Sequence, residues 1–208
     1  GYAKFNQSKK ISIKEGDLIV VLGGDNYRIG MGGAAVSSTE TGEYKSDIEL
    51  NAIQRSNPEM QKRVANAIRA VTESKNNFIK SIHDHGAGGH LNCISELVEE
   101  TGGVLDLDKL PIGDNTLSFK EIIGNESQER MGLVIDPSDL KELKSICNRE
   151  NAPIYVVGTV KEDKKFVVKS TKKNEKIIDL NISDFFGNSP KTILNDNKQT
   201  IKYSDFIY

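Results

Sequence analysis

The sequence predicts an α/β (α+β) domain: a layered, mixed β-sheet with flanking helices. Three observations carry that expectation. Short runs that are apolar on both faces, such as Leu18-Ile19-Val20-Val21-Leu22 and Met131-Gly132-Leu133-Val134-Ile135, read as buried strands. Between such runs lie amphipathic stretches with apolar residues at helical spacing, Val64, Ile68 and Val71 among them. Glycine, proline and asparagine punctuate this alternation through residue 160.

The elements follow in order. Residues 1–15 form a polar lead-in, and Glu15-Gly16-Asp17 turns into the strand Leu18–Leu22. A loop dense in glycine follows, Gly23 to Gly33. It reads either as a phosphate cradle or, by slight preference, as a glycine-rich packing surface, since it fits neither the P-loop nor the dinucleotide spacing. Asn57-Pro58-Glu59 starts a helix: asparagine caps, proline suits the first turn and the carboxylate complements the dipole. Phe78–Ile82 reads as a strand, Leu91–Val98 as a helix, Val104–Leu107 as a short strand and Ser118–Ile123 as a short helix. Pro137-Ser138 opens an amphipathic helix with Leu140, Leu143 and Cys147 on one face. Ile154–Val160 and Phe166–Val168 read as a terminal pair of strands. The domain is therefore expected over 16–170, with 171–208, rich in Lys, Asn and Asp, as an extended arm toward a following domain.

Composition excludes several function classes. With 208 residues, 37% of them apolar, the chain can bury one good-sized core. A net charge of −2 supplies no basic footprint for nucleic acid. The apolar runs fall far short of the roughly 20 residues that span a bilayer, and the polar stretch Gly1–Lys14 is not a secretory signal. Cys93 and Cys147 each sit in an apolar helical pattern, the setting of buried thiols rather than a disulfide, so the cytoplasm is the expected compartment. A start at Gly1-Tyr2, without Met, reads as a piece of a longer protein.

The chemistry concentrates in Ile82-His83-Asp84-His85-Gly86-Ala87-Gly88-Gly89-His90, which holds all three histidines. Strand, carboxylate, glycine turn and helix in that order put an acidic group and a row of N–H groups at one sheet edge, a setting for a phosphorylated ligand. Asp84 is the candidate Mg²⁺ ligand, a hard oxygen donor, against a reading as a plain helix cap. Gly86, Ala87, Gly88 and Gly89 form the candidate phosphate loop. In an extended segment His83 and His85 would share a face, yet nothing at ligand spacing completes a tetrahedral zinc set, so hydrogen bonding is the favoured role for these rings. Glu126, Ser127 and Gln128 bring a carboxylate, a hydroxyl and an amide to one loop, a set suited to a polyhydroxylated or amide-bearing ligand against a reading as an ordinary polar turn, and Gln54 precedes a helix cap from which it could reach the same edge. No nucleophile–base arrangement stands out, which argues against an autonomous enzyme.

Taken together, Gly16–Gly24, Ile29–Ala35, Gln54–Met60, His83–Gly89 and Asn125–Arg130 resemble the phosphoribosylformylglycinamidine synthase family, and the likeness runs on into Phe186–Lys191. The ordered set Gln-Arg-x-Asn-Pro-Glu-Met, His-Asp-x-Gly-Ala-Gly-Gly and Asn-Glu-Ser-Gln-Glu-Arg, where x is any residue, is the specific part. The resemblance implies the C-terminal domain of the first of two aminoimidazole-ribonucleotide-synthetase-like units. It further implies a reaction in which ATP phosphorylates the amide oxygen of formylglycinamide ribonucleotide and ammonia from glutamine displaces the phosphate. By position it makes Asp84 a Mg²⁺ ligand and Gln54, Glu126, Ser127 and Gln128 substrate contacts. His85 and His90 depart from the family pattern and take no role from it. The implied partners are the ribonucleotide and the remaining domains of the parent synthase, which carry most ATP contacts and the glutaminase cysteine; a homodimer through the exposed domain surface is a further expectation. On this reading the chain alone turns over no substrate. The alternatives are a sibling synthetase or kinase of the same superfamily, against which the Asn125–Arg130 run argues, and a non-catalytic assembly module.

Overall fold

The computed structural model describes residues 11–32, 35–36, 38–53, 55–127, 129–187 and 191–195. Among these described residues seven strands form one sheet: β1 (Leu18–Leu22), β2 (Ser81–Asp84), β3 (Gly103–Asp106), β4 (Met131–Ile135), β5 (Ile154–Val160), β6 (Lys165–Ser170) and β7 (Glu175–Asn181). Their spatial order is β2-β4-β1-β5-β3-β6-β7. The sheet is mixed, because β3 and β6 run parallel while the other neighbours pair antiparallel. The helices are α1 (Ser46–Ala52), α2 (Pro58–Thr72), α3 (Gly89–Leu97), α4 (Phe119–Gly124), α5 (Leu140–Arg149) and α6 (Ile182–Phe185).

Strand periodicity makes the layers. Successive side chains of a strand face opposite ways, and β1 shows the consequence. Ile19 and Val21 join a core with Cys93, Ile94 and Leu97 of α3 and Ile122 and Ile123 of α4. Val20 and Leu22 join a second core with Val64, Ala67 and Val71 of α2 and Leu143 and Cys147 of α5. One central strand therefore contributes to two cores, and the result is helix, sheet, helix. The two cysteines are free and lie in these separate cores on opposite sides of the sheet. Among the described residues no helix is long and apolar enough to cross a membrane.

Local signals set the helix starts. Asn57 accepts a hydrogen bond from the Met60 N–H with Pro58 in the first turn, as the sequence suggests. Ser118 and Glu121 close a reciprocal capping box at the start of α4. At the other end of the scale, α1 buries none of its residues.

Three expectations need correction. The strand foreseen at Phe78–Ile82 is β2, which begins at Ser81 and runs on through His83 and Asp84. The Asn77 side chain takes up the Ile79 N–H, so the ladder to β4 starts only when Lys80 N–H donates to Val134 O. Next, β5 and β6 are not neighbours. Their connecting turn wraps the start of β3, with Lys161 N–H donating to Gly102 O and Lys164 N–H to Thr101 O, and β3 slots between them. Finally, the stretch read as an arm from residue 171 holds β7, which pairs with β6 through a hairpin, so the sheet extends past 170.

Candidate functional site

The histidine-rich segment straddles the end of an edge strand. His83 and Asp84 close β2, opposite Gly132 and Met131 of β4. The Asp84 side chain is 66% exposed. A turn follows, and α3 starts at Gly89 behind a left-handed Gly88. Gly89 itself has φ +57°, and a Cβ there would lie 2.3 Å from the Asn125 carbonyl oxygen. Only a glycine lets the two backbones approach so closely. The turn is thereby pressed onto the segment Asn125–Arg130, more than thirty residues later in the chain.

The glycine loop after β1 meets the same segment from the other side. Asn125 is buried, and its amide donates to Tyr27 O at 2.8 Å and Ile29 O at 2.9 Å. The Glu126 N–H donates to Gly30 O at 3.2 Å. Gly30 has φ +58°, and a Cβ on it would come within 2.4 Å of Glu126 O. Over its described residues the loop is thus a packing surface for the Asn125–Arg130 run, the favoured of its two readings.

The candidate residues fall into distinct places. Glu126 lines a cavity of about 630 Å³ together with Thr39, Thr41, Glu49, Leu50 and Ile53. Gly30 N–H donates to Ile53 O at 3.4 Å and Met31 N–H to Asn51 O at 2.9 Å, which draws the chain just before position 54 toward Glu126. Gln54 and Gln128 themselves lie outside the described residues. Ser127 is buried, and its hydroxyl donates to the Glu129 carboxylate. Gly86, Ala87 and Gly88 are on or near the surface and Gly89 is buried beneath them.

The three histidines do not share one environment. An extended chain would have put His83 and His85 on one face, but β2 ends between them. His83 is partly exposed and pairs through Nε2 with the Glu96 carboxylate, while its Nδ1 lies 2.9 Å from Asp84 O. His85 and His90 are fully buried and in edge-to-face contact, with ring centroids 4.6 Å apart.

Sequence reasoning passed over the residue at the centre, Arg130. Its guanidinium is fully buried. One terminal nitrogen contacts Asn26 Oδ1 and sits 2.8 Å from His90 Nε2. The other donates to Asn125 O at 2.9 Å and to Asn125 Oδ1. Its carbonyl accepts from the His85 N–H at 3.2 Å. Arginine has donors only, so His90 Nε2 is the acceptor and the His90 proton rides on Nδ1. His90 Nδ1 lies 2.8 Å from His85 Nε2, which must accept in turn. Burial, then the Arg130 charge, keeps both imidazoles well below their usual pKa. Burial also pulls Arg130 down to about 10, against the opposing pull of Glu129, so it stays charged at neutral pH. The signal that could have flagged Arg130 was an arginine directly before an apolar strand, where a charge survives burial only with several partners.

Asp84 fits a magnesium ion in one specific way. Mg²⁺ is commonly held by one or two carboxylates, with waters and ligand phosphates completing an octahedron. An exposed carboxylate beside a glycine turn suits that pattern; among the described residues no three His, Cys, Asp or Glu gather into an all-protein cage. Gly86 keeps the space beside it clear, since a Cβ there would lie 3.2 Å from Asp84 Oδ2.

Residues 14–170 match the family model described as AIR synthase related protein, C-terminal domain. The chain belongs to this family. Among its relatives is phosphoribosylformylglycinamidine synthase of Saccharomyces cerevisiae, 41% identical over 186 residues, covering 88% of this chain and 14% of the relative. The Schizosaccharomyces pombe protein of the same name is 39% identical over 199 residues, covering 95% of this chain and 15% of its own length. The chain therefore spans about a seventh of the length of these curated relatives. Among solved structures, Thermotoga maritima PurL complexed with FGAR superposes with a TM-score of 0.78 at 26% identity, over 93% of this chain and 31% of the other. As a member of the AIR synthase C-terminal family the chain has the mixed sheet with flanking helices foreseen from its sequence, and the matched residues take in every candidate position from Gln54 to Gln128.

Proposed function

We propose that this chain is the substrate- and magnesium-contacting domain of a phosphoribosylformylglycinamidine synthase, a carbon–nitrogen ligase of purine biosynthesis that uses ATP and the ammonia of glutamine. The observation that carries the reading is convergence. The Gly23–Gly30 loop, the Asp84–Gly89 turn and the Asn125–Arg130 segment, distant in sequence, pack backbone to backbone at one edge of the sheet. They leave Asp84 exposed beside the turn and Glu126 on a cavity large enough for a ribonucleotide.

On this reading Glu126, with Gln54 and Gln128 in the same two segments, contacts formylglycinamide ribonucleotide, whereas Ser127, buried and bonded to Glu129, supports the loop instead of meeting the ligand. Asp84 holds Mg²⁺, which supplies charge neutralisation for phosphate when bound, and the turn Gly86–Gly88 ahead of α3 faces the anion, whereas the Gly89 N–H is spent on Gly86 O and closes the turn. ATP is contacted mainly by the other domains of the synthase. The exposed apolar residues Tyr44, Ile48, Leu50 and Ile53, on and beside α1, support packing against those domains or against a second copy. Two free buried thiols fit a reducing compartment, the cytoplasm.

Calorimetric titration of the chain with formylglycinamide ribonucleotide tests the assignment. Binding is expected to require Mg²⁺ and to weaken about tenfold or more in Asp84→Asn and in Glu126→Ala. Equal affinity with and without Mg²⁺ and in both variants would refute the site and leave an assembly role. Turnover by the chain alone, given ATP and ammonia, would refute its standing as one domain of a larger catalyst.

A further inference from the structure

Arg130 is assigned to no ligand contact above, yet its side chain or backbone touches all three converging segments. It reaches Asn26 in the glycine loop, His90 and His85 in the turn and helix, and Asn125 in its own run. We propose that Arg130 is the positioning residue of the site, holding the Asn125–Ser127 backbone and the Gly86–Gly89 turn in one relation through a one-way hydrogen-bond chain that ends in the histidine pair. The proposal rests on Glu126 and Asp84 being the ligand-contacting groups; Arg130 touches neither ligand nor metal and acts through them.

Direction is what makes the chain specific. A guanidinium can only donate, so position 90 must present an acceptor to Arg130 and a donor onward to His85 Nε2. Asn26 reinforces the same polarity, its Oδ1 accepting from Arg130 and its Nδ2 lying 3.1 Å from His90 Nε2 and 2.7 Å from Pro111 O. A buried guanidinium whose two terminal nitrogens meet this many fixed acceptors is held in a single geometry, although its Nε stays without a partner among the described residues. That geometry reaches the ligand side through Asn125, whose backbone oxygen both accepts from Arg130 and bears on Gly89. An asparagine at position 90 retains one acceptor and one donor; a leucine retains neither.

Two measurements on the whole chain test this. Nitrogen-15 spectra of the imidazoles are expected to show both buried rings neutral with the proton on Nδ1. Amide exchange then compares Glu126 and Gly89 with Val20 and Leu133 in the sheet. His90→Leu should speed exchange at Glu126 and Gly89 about tenfold or more while the sheet amides stay within about twofold, and His90→Asn should restore the slow rates. A proton on His90 Nε2, unchanged exchange at Glu126 in His90→Leu, or acceleration spread equally over the sheet would each overturn the proposal. The spectra need no substitution, so they decide the matter even if His90→Leu fails to fold. Absence of ribonucleotide binding by the unsubstituted chain would count against the functional reading alone, since tautomer and exchange are read without ligand.

Discussion

Replacing Gly89 with alanine probes the closest approach in the site. The residue has φ +57°, a region where a side chain costs roughly 1–2 kcal/mol. The new Cβ would also sit 2.3 Å from Asn125 O, 2.8 Å from its carbonyl carbon and 2.9 Å from its nitrogen. That is about 1 Å inside ordinary contact against backbone that Arg130 and two carbonyls already hold, and such overpacking costs roughly 1–3 kcal/mol. The sum, about 2–5 kcal/mol, is a large fraction of the roughly 5–15 kcal/mol that keeps a domain folded. Urea unfolding measures it as a drop in midpoint at constant slope. Gly124→Ala is the control: a Cβ there meets nothing within 4 Å, and the change should be neutral or stabilising by about 0.4–1 kcal/mol. If Gly89→Ala fell within about 0.5 kcal/mol of the parent chain, the backbone-to-backbone packing of turn and loop would be refuted.

Other outcomes follow from the same structure. Lys80→Met strips the fully buried Asp17 of its 2.6 Å ion pair and leaves it the Lys14 N–H, so unfolding should be easier by roughly 3 kcal/mol, with partial recovery in the Asp17→Asn, Lys80→Met double variant. Burial, Arg130 and His85, in that order, hold His90 well below its usual pKa of 6.5, so the native state binds fewer protons than the unfolded chain once the pH drops below that value. Stability is then fully present above it and falls as the medium is acidified, by about 1.4 kcal/mol per pH unit for this one group, and His90→Asn should flatten the slope by that amount; an identical slope in the variant would contradict the wiring. Burial pushes the Cys147 thiol up to about 11 and the Cys93 thiol higher still. Both should therefore resist a disulfide reagent until the chain unfolds, and rapid labelling of either in native buffer would rule out the two-core packing.

Much of the architecture was legible in local pattern. Continuous apolar runs located β1 and β4, the Asn57-Pro58 cap located α2, and the short run Ser118–Ile123 ahead of Gly124 located α4, because each signal is a short-range preference written within a few residues. The candidate segments were legible for another reason: glycine where a backbone must come close, and carboxylate or amide where a ligand could be met. What stayed hidden was pairing. Nothing in Gly103–Asp106 says that it will enter between β5 and β6, since that depends on a turn sixty residues later closing over Thr101 and Gly102. β7 was hidden for a similar reason, as Glu175–Asn181 has no clean alternation and follows the polar run Thr171–Asn174, and it becomes a strand by pairing with β6.

The histidine cluster shows where sequence and tertiary structure divide. Sequence alone determined that three imidazoles, a carboxylate and a glycine turn occupy one strand–helix junction. Only the folded chain decided their roles. Arg130, forty residues on, fills the space behind the turn and can only donate, so His90 and His85 become neutral acceptors in a buried chain, while Asp84, one step outside that chain, stays in solvent. A side chain's chemistry is local, but the partner that directs it is supplied by contacts that only the fold brings together.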